Sequence, residues 1–374
     1  MKICWHAVNF VQTLGYEGRV RICCFLNDNI VGSLSEQSFY DIYHGKKAQS
    51  IHAKLGGGDY SQCSVDSCPY LATGTIDSHL IEIDKIPEYP DTLLLGHEQV
   101  CNYHCTFCSS RPGYSTEPQE IQNAGYENIY EKLKPVLPHI KRISANGNGE
   151  LFASPHILKM LAEWKPLAPV EECSASLETN GSLFDAEHWA KISNLGQYNL
   201  RVAITVTSFD DYTYKLLSGT TLPVQQVIDN LHFVKSLKEQ GIVNHLQIAT
   251  VVQERNFFQM PEFTRRCIEE FGADSVRLRP YQIHGSEDSA RIWFTEMRNP
   301  NHPYHEEYLK VMQDPIFKHP KVSDWGLNTE SHTPDLLTFL MQRDKKKVVK
   351  FALKELAKWP FRKSKRLLGK LIGR

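Results

Sequence analysis

Long hydrophobic runs are missing from this chain. No uninterrupted apolar stretch approaches the roughly 18–20 residues a helix needs to span a bilayer. The first ten residues, MKICWHAVNF, hold no apolar core long enough for a signal peptide. Net charge is nearly missing too: 42 Lys and Arg oppose 43 Asp and Glu, which excludes a global bias toward nucleic acid or membrane. These absences predict a cytoplasmic protein. In that compartment ten cysteines rarely mean disulfides, and clustered ones mean metal or redox chemistry. Beyond residue 108 cysteine is scarce, with only Cys173 and Cys267 remaining. Cys173 falls in a strand-like segment and Cys267 on an apolar stripe with Phe263 and Phe271, so both read as core packing. With 374 residues and 41% apolar content, the chain suits one large domain plus a smaller one.

What is present is concentrated. Eight cysteines lie in the first 108 residues, and the tightest group is Cys101-Asn-Tyr-His-Cys105-Thr-Phe-Cys108. Thiolates are the ligands of iron–sulfur clusters. Three of them in one loop leave the fourth iron of a cubane open to a small molecule with nitrogen and oxygen donors. Structural zinc instead wants four ligands and a closed site, so the spacing favours the cluster. His104 lies inside the loop and is expected to face away.

Strand-like and helix-like segments alternate after this loop. The strands are read at 92–96, 140–145, 173–177, 200–206, 246–252 and 275–279, and the helices at 121–134, 155–164, 184–195, 224–240 and 261–271. Such alternation predicts parallel strands joined by right-handed crossovers, with ligands at the carboxyl ends of the strands. Polar motifs fall at those ends: Gly147-Asn148-Gly149-Glu150, Thr179-Asn180-Gly181, Ser208 and Asp210, and Arg279.

The C-x3-C-x-Φ-C pattern with Phe107 before its last cysteine resembles the signature of the radical S-adenosylmethionine (SAM) superfamily. The resemblance implies an α/β fold, a partial (β/α)6 TIM-type barrel over 90–283. It implies that Cys101, Cys105 and Cys108 hold a 4Fe–4S cluster whose open iron chelates SAM. Reductive cleavage would then give a 5′-deoxyadenosyl radical that abstracts a hydrogen atom. Gly149 and Glu150 stand where the superfamily has its Gly-Gly-Glu-type motif toward the SAM amino group, with Asn148 in place of a glycine. Asn180, Ser208, Asp210 and Arg279 are carried over as further cofactor-binding residues, with Val251 and Val252 flanking adenine.

Residues 1–85 precede the barrel. Gly18 with alternating Val20 and Ile22 predicts a hairpin turn feeding a strand. The segment reads as loop-rich, and units of this size often need a metal. Cys4, Cys23, Cys63 and Cys68 would close a cluster or a zinc site, between which spacing does not choose. The run Gly18-x4-Cys23-Cys24, then Val31-Gly-Ser-Leu, Phe39-Tyr-Asp-Ile-Tyr43 and Cys63…Cys68, resembles the SPASM/twitch auxiliary-cluster module, in permuted order because that module usually follows the barrel. The resemblance implies one auxiliary 4Fe–4S cluster on those four cysteines, with Cys24 spare or exchanging with Cys23. Residues 284–343 read as a cap on the barrel.

The residues from 344 to 374 form a basic tail, expected to be helical. Positions 345–374 carry twelve Lys and Arg and one acid, Glu355, leaving thirty basic against forty-two acidic residues in the first 344. Val349, Leu353 and Leu356, then Leu367, Leu368, Leu371 and Ile372, make apolar stripes edged by Trp359 and Phe361. Such a face suits an anionic membrane surface, an RNA contact, or the acidic body itself. The leading expectation is oxidation, epimerisation or cross-linking of a carbohydrate, including a lipid-linked one, or of a peptide. The auxiliary cluster would conduct electrons, and a flavodoxin or ferredoxin would donate them. A radical SAM enzyme acting on RNA and a non-catalytic zinc or scaffold protein are the alternatives; nothing else in the body favours nucleic acid. Deleting 345–374 is expected to abolish binding to anionic liposomes in a flotation assay; unchanged binding would sink the membrane reading.

Overall fold

A computed structural model describes residues 1–26, 29–65, 68–108, 115–145, 148–281, 289–327 and scattered positions between 338 and 350. Asn146, Gly147 and most of the basic tail lie outside them. Period-two alternation in the strands governs the architecture. One face is apolar: Leu93, Leu95, Leu177, Ile204, Ile248 and Leu278 are wholly buried. The other face carries polar residues such as Ser144, Ser176, Glu178 and Arg277. A strand of this kind buries one side under helices and turns the other toward a lumen.

The strands are β1 (Lys2–Cys4), β2 (Phe10–Leu14), β3 (Arg19–Ile22), β4 (Ile30–Ser33), β5 (Leu80–Glu82), β6 (Thr92–Gly96), β7 (Arg142–Ala145), β8 (Ser174–Thr179), β9 (Asn199–Thr205), β10 (His245–Val252), β11 (Ser275–Pro280) and β12 (Val322–Ser323). Ten of them form one sheet in the order β12-β11-β10-β9-β8-β7-β6-β2-β3-β4. From β6 to β11 all neighbours are parallel and sequential, giving the six-stranded partial barrel. The fold is thus mixed α/β with a mostly parallel sheet. β1 and β5 pair separately as a short antiparallel ribbon.

Two features go beyond the sequence reading. First, β2 pairs in parallel with β6, matching Val11 to Leu93 and Thr13 to Leu95. β3 and β4 then follow antiparallel. The N-terminal segment therefore shares its sheet with the barrel strands. Second, this segment is less loop-rich than its composition suggests. Helix Lys46–Gly56 buries Ala48, Ile51, His52 and Leu55, an i, i+3, i+4, i+7 stripe under a lysine-rich exterior. The hairpin turn at Gly18 joins β2 to β3 as expected.

Apolar residues from all segments merge into one core. Trp164 sits in it with no exposure, its Nε1 donating to Ile140 O at 3.1 Å and its ring 4.6 Å from that of Tyr198. Cys173 and Cys267 are buried there too. Among the described residues no helix is long and apolar enough to cross a membrane. Replacing Trp164 by Ala is expected to lower stability by about 3–5 kcal/mol in urea denaturation; a loss under ~1 kcal/mol would show that the site collapses freely.

Candidate active site

The cysteine loop leaves β6 through His97 and Glu98, both buried. Glu98 accepts from the backbone N–H of His156 and Ile157 at 3.0 and 3.1 Å, so it caps helix Pro155–Glu163 and fixes the path toward Val100. Gly149 then lies against that path. A Cβ there would be 2.4 Å from Val100 O and 2.9 Å from Glu98 O, both backbone atoms. Glu150 N donates to Val100 O at 2.6 Å, so strand end and loop are bonded directly. Only a glycine allows the two backbones to come this close.

Glu150 is buried. Its carboxylate accepts from Asn180 N at 2.7 Å, from Phe152 N at 3.2 Å and from the Thr179 hydroxyl. Burial pushes its pKa up, against these hydrogen bonds. The carboxylate thus ties the end of β7 to the end of β8. Asn180 completes the link: its Nδ2 donates to Asn102 Oδ1 at 2.9 Å, and Asn102 Nδ2 donates to Ser182 Oγ at 2.9 Å. Gly149, Glu150 and Asn180 are therefore brought together with the cysteine loop.

Ser208 and Asp210 are placed differently. Ser208 is wholly buried, donating to Gln259 Oε1 at 2.5 Å and accepting from Asp210 N at 2.8 Å. Asp210 caps helix Asp211–Ser218 through Thr213 N at 2.9 Å. That helix, which the sequence reading missed, holds the loop from the other side. His104 N and Thr106 N donate to Ser218 O and Leu217 O at 3.0 and 2.9 Å. Gly219 follows at φ 60°, where a Cβ would stand 2.3 Å from His104 O. His104 is exposed, with its Nδ1 2.8 Å from Tyr103 O. Arg291, also missed, donates to Glu254 Oε1 at 3.0 Å, to Gln253 Oε1 at 2.5 Å and to Thr106 Oγ1 at 3.4 Å.

Arg279 stands apart from these. It lies near the end of β11 with its side chain toward the lumen, where Arg277 and Glu178 of β8 also project. Burial lowers the Arg279 pKa and Glu178 raises it. Burial raises that of Glu178, and Arg279 and Arg277 lower it. Glu178 and Arg277 gave their signal in the alternation: charged residues at lumen positions of strands whose other face is apolar.

The N-terminal thiols meet at a second place. A small cavity of about 20 Å³ is lined by Cys4, Cys23, Cys63 and Cys68, with His6 and Tyr70 among its other walls. Cys24 is not in the lining. Cys23 takes a left-handed conformation, φ 52°, and Asn29 Nδ2 donates to its carbonyl at 2.8 Å. A bridge between Leu26 and Cys63 brings in the third thiol. Burial pushes the Cys23 thiol up to about 12 and that of Cys63 up to about 11. The donor set fits a 4Fe–4S cluster: four cysteines around one enclosed, otherwise apolar-walled space. Among the described residues no three His, Cys, Asp or Glu converge on one point as a single ion requires. A cubane spreads its thiolates over separate irons and does not require that convergence. The half-buried Cys101, Cys105 and Cys108 supply the matching three-thiol set. Gly149→Ala is expected to cost about 1–3 kcal/mol by overpacking and to lower the iron retained after anaerobic reconstitution. Wild-type iron content and stability would show that the loop can move away.

The family model described as the radical SAM superfamily matches residues 97–257, and that of an iron–sulfur cluster-binding domain, SPASM, matches residues 4–69. No curated protein matches the chain by sequence. Similar solved structures include SuiB of Streptococcus suis. SuiB bound to S-adenosylmethionine is 13% identical at a TM-score of 0.43, over 76% of this chain and 56% of that one. SuiB bound to its precursor peptide SuiA is 12% identical at a TM-score of 0.41, over 86% of this chain and 72% of that one. The chain thus spans little more than half the length of the first of these neighbours. The three-thiol loop after β6 and the four-thiol cavity ahead of it thus lie within a radical SAM region, residues 97–257, and a SPASM iron–sulfur cluster-binding region, residues 4–69, and these two matches imply 4Fe–4S clusters and SAM as cofactors.

Proposed function

We propose that the enzyme removes a hydrogen atom from a polar carbohydrate or peptide substrate held in the barrel lumen and completes its oxidation, epimerisation or cross-linking. In this reading residues 1–85 are the auxiliary module, 90–283 the catalytic barrel, 284–343 its cap and 344–374 a membrane-contacting tail. Cys101, Cys105 and Cys108 would hold the SAM-binding cluster, and Cys4, Cys23, Cys63 and Cys68 the auxiliary one. When bound, these groups supply reductive cleavage of SAM, a carbon-centred radical and a path for the substrate electron. A flavodoxin or ferredoxin is the proposed electron donor.

The observation that carries the reading is the double anchoring of the cysteine loop. One side is bonded to the β7 and β8 ends through Glu150 and Asn102, the other to helix Asp211–Ser218 through His104 and Thr106. Such a loop presents its thiols at a fixed place above the lumen. Asn180 and the backbone around Gly149 border that place and are the proposed contacts for the amino-acid part of SAM. Ser208 and Asp210 act in support, because their polar atoms are spent on the helix that holds the loop. Polar lumen residues such as Ser144, Ser176 and Gln247 suit a substrate rich in hydroxyl or amide groups.

Anaerobically reconstituted protein, reduced with dithionite in the presence of SAM, is expected to release 5′-deoxyadenosine. Cys105→Ala is expected to reduce that release to background. A colourless protein that binds zinc and yields no 5′-deoxyadenosine would end this reading.

A further inference from the structure

The charged side chains of this fold pair closely wherever their role is structural. Lys238 and Asp274 meet at 2.8 Å, Arg265 and Asp314 at 2.7 Å, and Arg266 and Glu270 at 2.6 Å. Three lumen residues break this pattern. Glu178, Arg277 and Arg279 act on one another electrostatically, yet none makes a hydrogen bond or an ion pair with another. Arg279 Nε is shut off from solvent and has no acceptor. One N–H of that guanidinium thus forgoes both water and a partner among the described residues, a cost that native structures rarely carry without reason.

Their placement is fixed by the strands. Leu177 and Thr179 on either side of Glu178, and Val276 and Leu278 around Arg277, are buried on the helix side, so the charged residues face inward. The Arg277 guanidinium stacks on the ring of Trp325, just after β12, at 4.9 Å. Trp325 itself takes φ 45°, an uncommon conformation for a bulky residue. Both arginines come from β11, five strands from the β6 that launches the cysteine loop, or about 24 Å along the sheet at the usual strand spacing. Glu178 sits two residues deeper than Asn180, the residue bonded to that loop.

We propose that Arg277, Arg279 and Glu178 form a substrate-recognition site for a carboxylate with a neighbouring hydrogen-bond donor. The carboxylate seats on the two arginines, and Glu178 accepts from the donor. Charge selects this class. Two guanidinium groups and one carboxylate leave one positive charge, which a monoanionic carboxylate neutralises. A dianionic phosphate would leave excess negative charge facing Glu178. Arginine forks also match the planar carboxylate. The proposal rests on the reading that the lumen holds the substrate of a radical reaction, and it reassigns Arg279 from SAM to that substrate.

The test uses the full-length protein with reconstituted clusters. N-acetylglutamate α-amide represents a peptide-borne carboxylate and glucuronate a sugar-borne one, with N-acetylglutamine α-amide and glucose as their neutral counterparts. Ligand-observed NMR is expected to show at least one carboxylate binding tenfold more tightly than its neutral counterpart, and the one that binds identifies the source. Arg279→Gln should weaken that probe at least tenfold while SAM affinity, from equilibrium dialysis, changes less than twofold. Arg277→Gln provides the same comparison should the first variant fold poorly. In the absence of probe, Arg279→Met should raise the melting temperature, since an unpaired charge leaves the lumen; a structural arginine would lower it. Equal binding of charged and neutral probes, or a tenfold loss of SAM affinity with the probe unaffected, would overturn the proposal. Probe selectivity without any SAM cleavage by the wild type would instead remove the radical reading and leave the anion site standing.

Discussion

The site depends on one backbone contact, Gly149 pressed against Val100. It admits no side chain, so the hydrogen bond from Glu150 N to Val100 O forms at 2.6 Å. That bond sets the height of the cysteine loop above the strand ends. The buried Glu150 carboxylate then carries the same constraint sideways to β8. A charged group without cationic partners becomes a structural tie because three donors converge on it. The chemistry therefore starts from a loop whose position is settled before any cofactor arrives.

Polar residues at the strand ends divide into two kinds. Glu150, Ser208 and Asp210 have their oxygen atoms engaged by neighbouring backbone or side chains, and they build the frame. Among the described residues, the side chains of Arg277, Arg279 and Glu178 have no hydrogen-bond partner. Sequence position alone does not separate the kinds, since all lie within a few residues of a strand terminus. What separates them is how many donors the surrounding backbone supplies. Helix N-termini and tight turns provide several, whereas the lumen wall of a strand provides none, because its amides are already used in the sheet.

The six barrel strands were legible in the sequence because each alternates or runs apolar between clear breaks, and Thr92–Gly96 appears with the limits read for it. The strand-end motif that holds Gly149 and Glu150 was legible as well. Helix Asp211–Ser218 was not: it spans eight residues, begins on Asp210 and buries only Tyr214 and Leu217 as large apolar groups. Helix Lys46–Gly56 was hidden by its lysines, although Ala48, Ile51 and Leu55 carried the period. The pairing of β2 with β6 was beyond local reading altogether, because Val11 and Leu93 meet only through a long excursion of the chain. Periodicity reports which face is buried and says nothing about which strand lies alongside.

That pairing also changes what the auxiliary module is. A module linked by a flexible hinge would let its thiols wander relative to the lumen. Here Gln12 on β2 stands beside Leu94 of β6 in the same sheet, and Arg21 on β3, whose Nε donates to Gln12 Oε1 at 2.6 Å, leads directly to Cys23. The separation between the two thiol sets is built in by strand spacing, much as two terminals are soldered to one board. The same joint covers the outer edge of β6, so the hairpin that leads to Cys23 also keeps that barrel strand from being presented open to another chain.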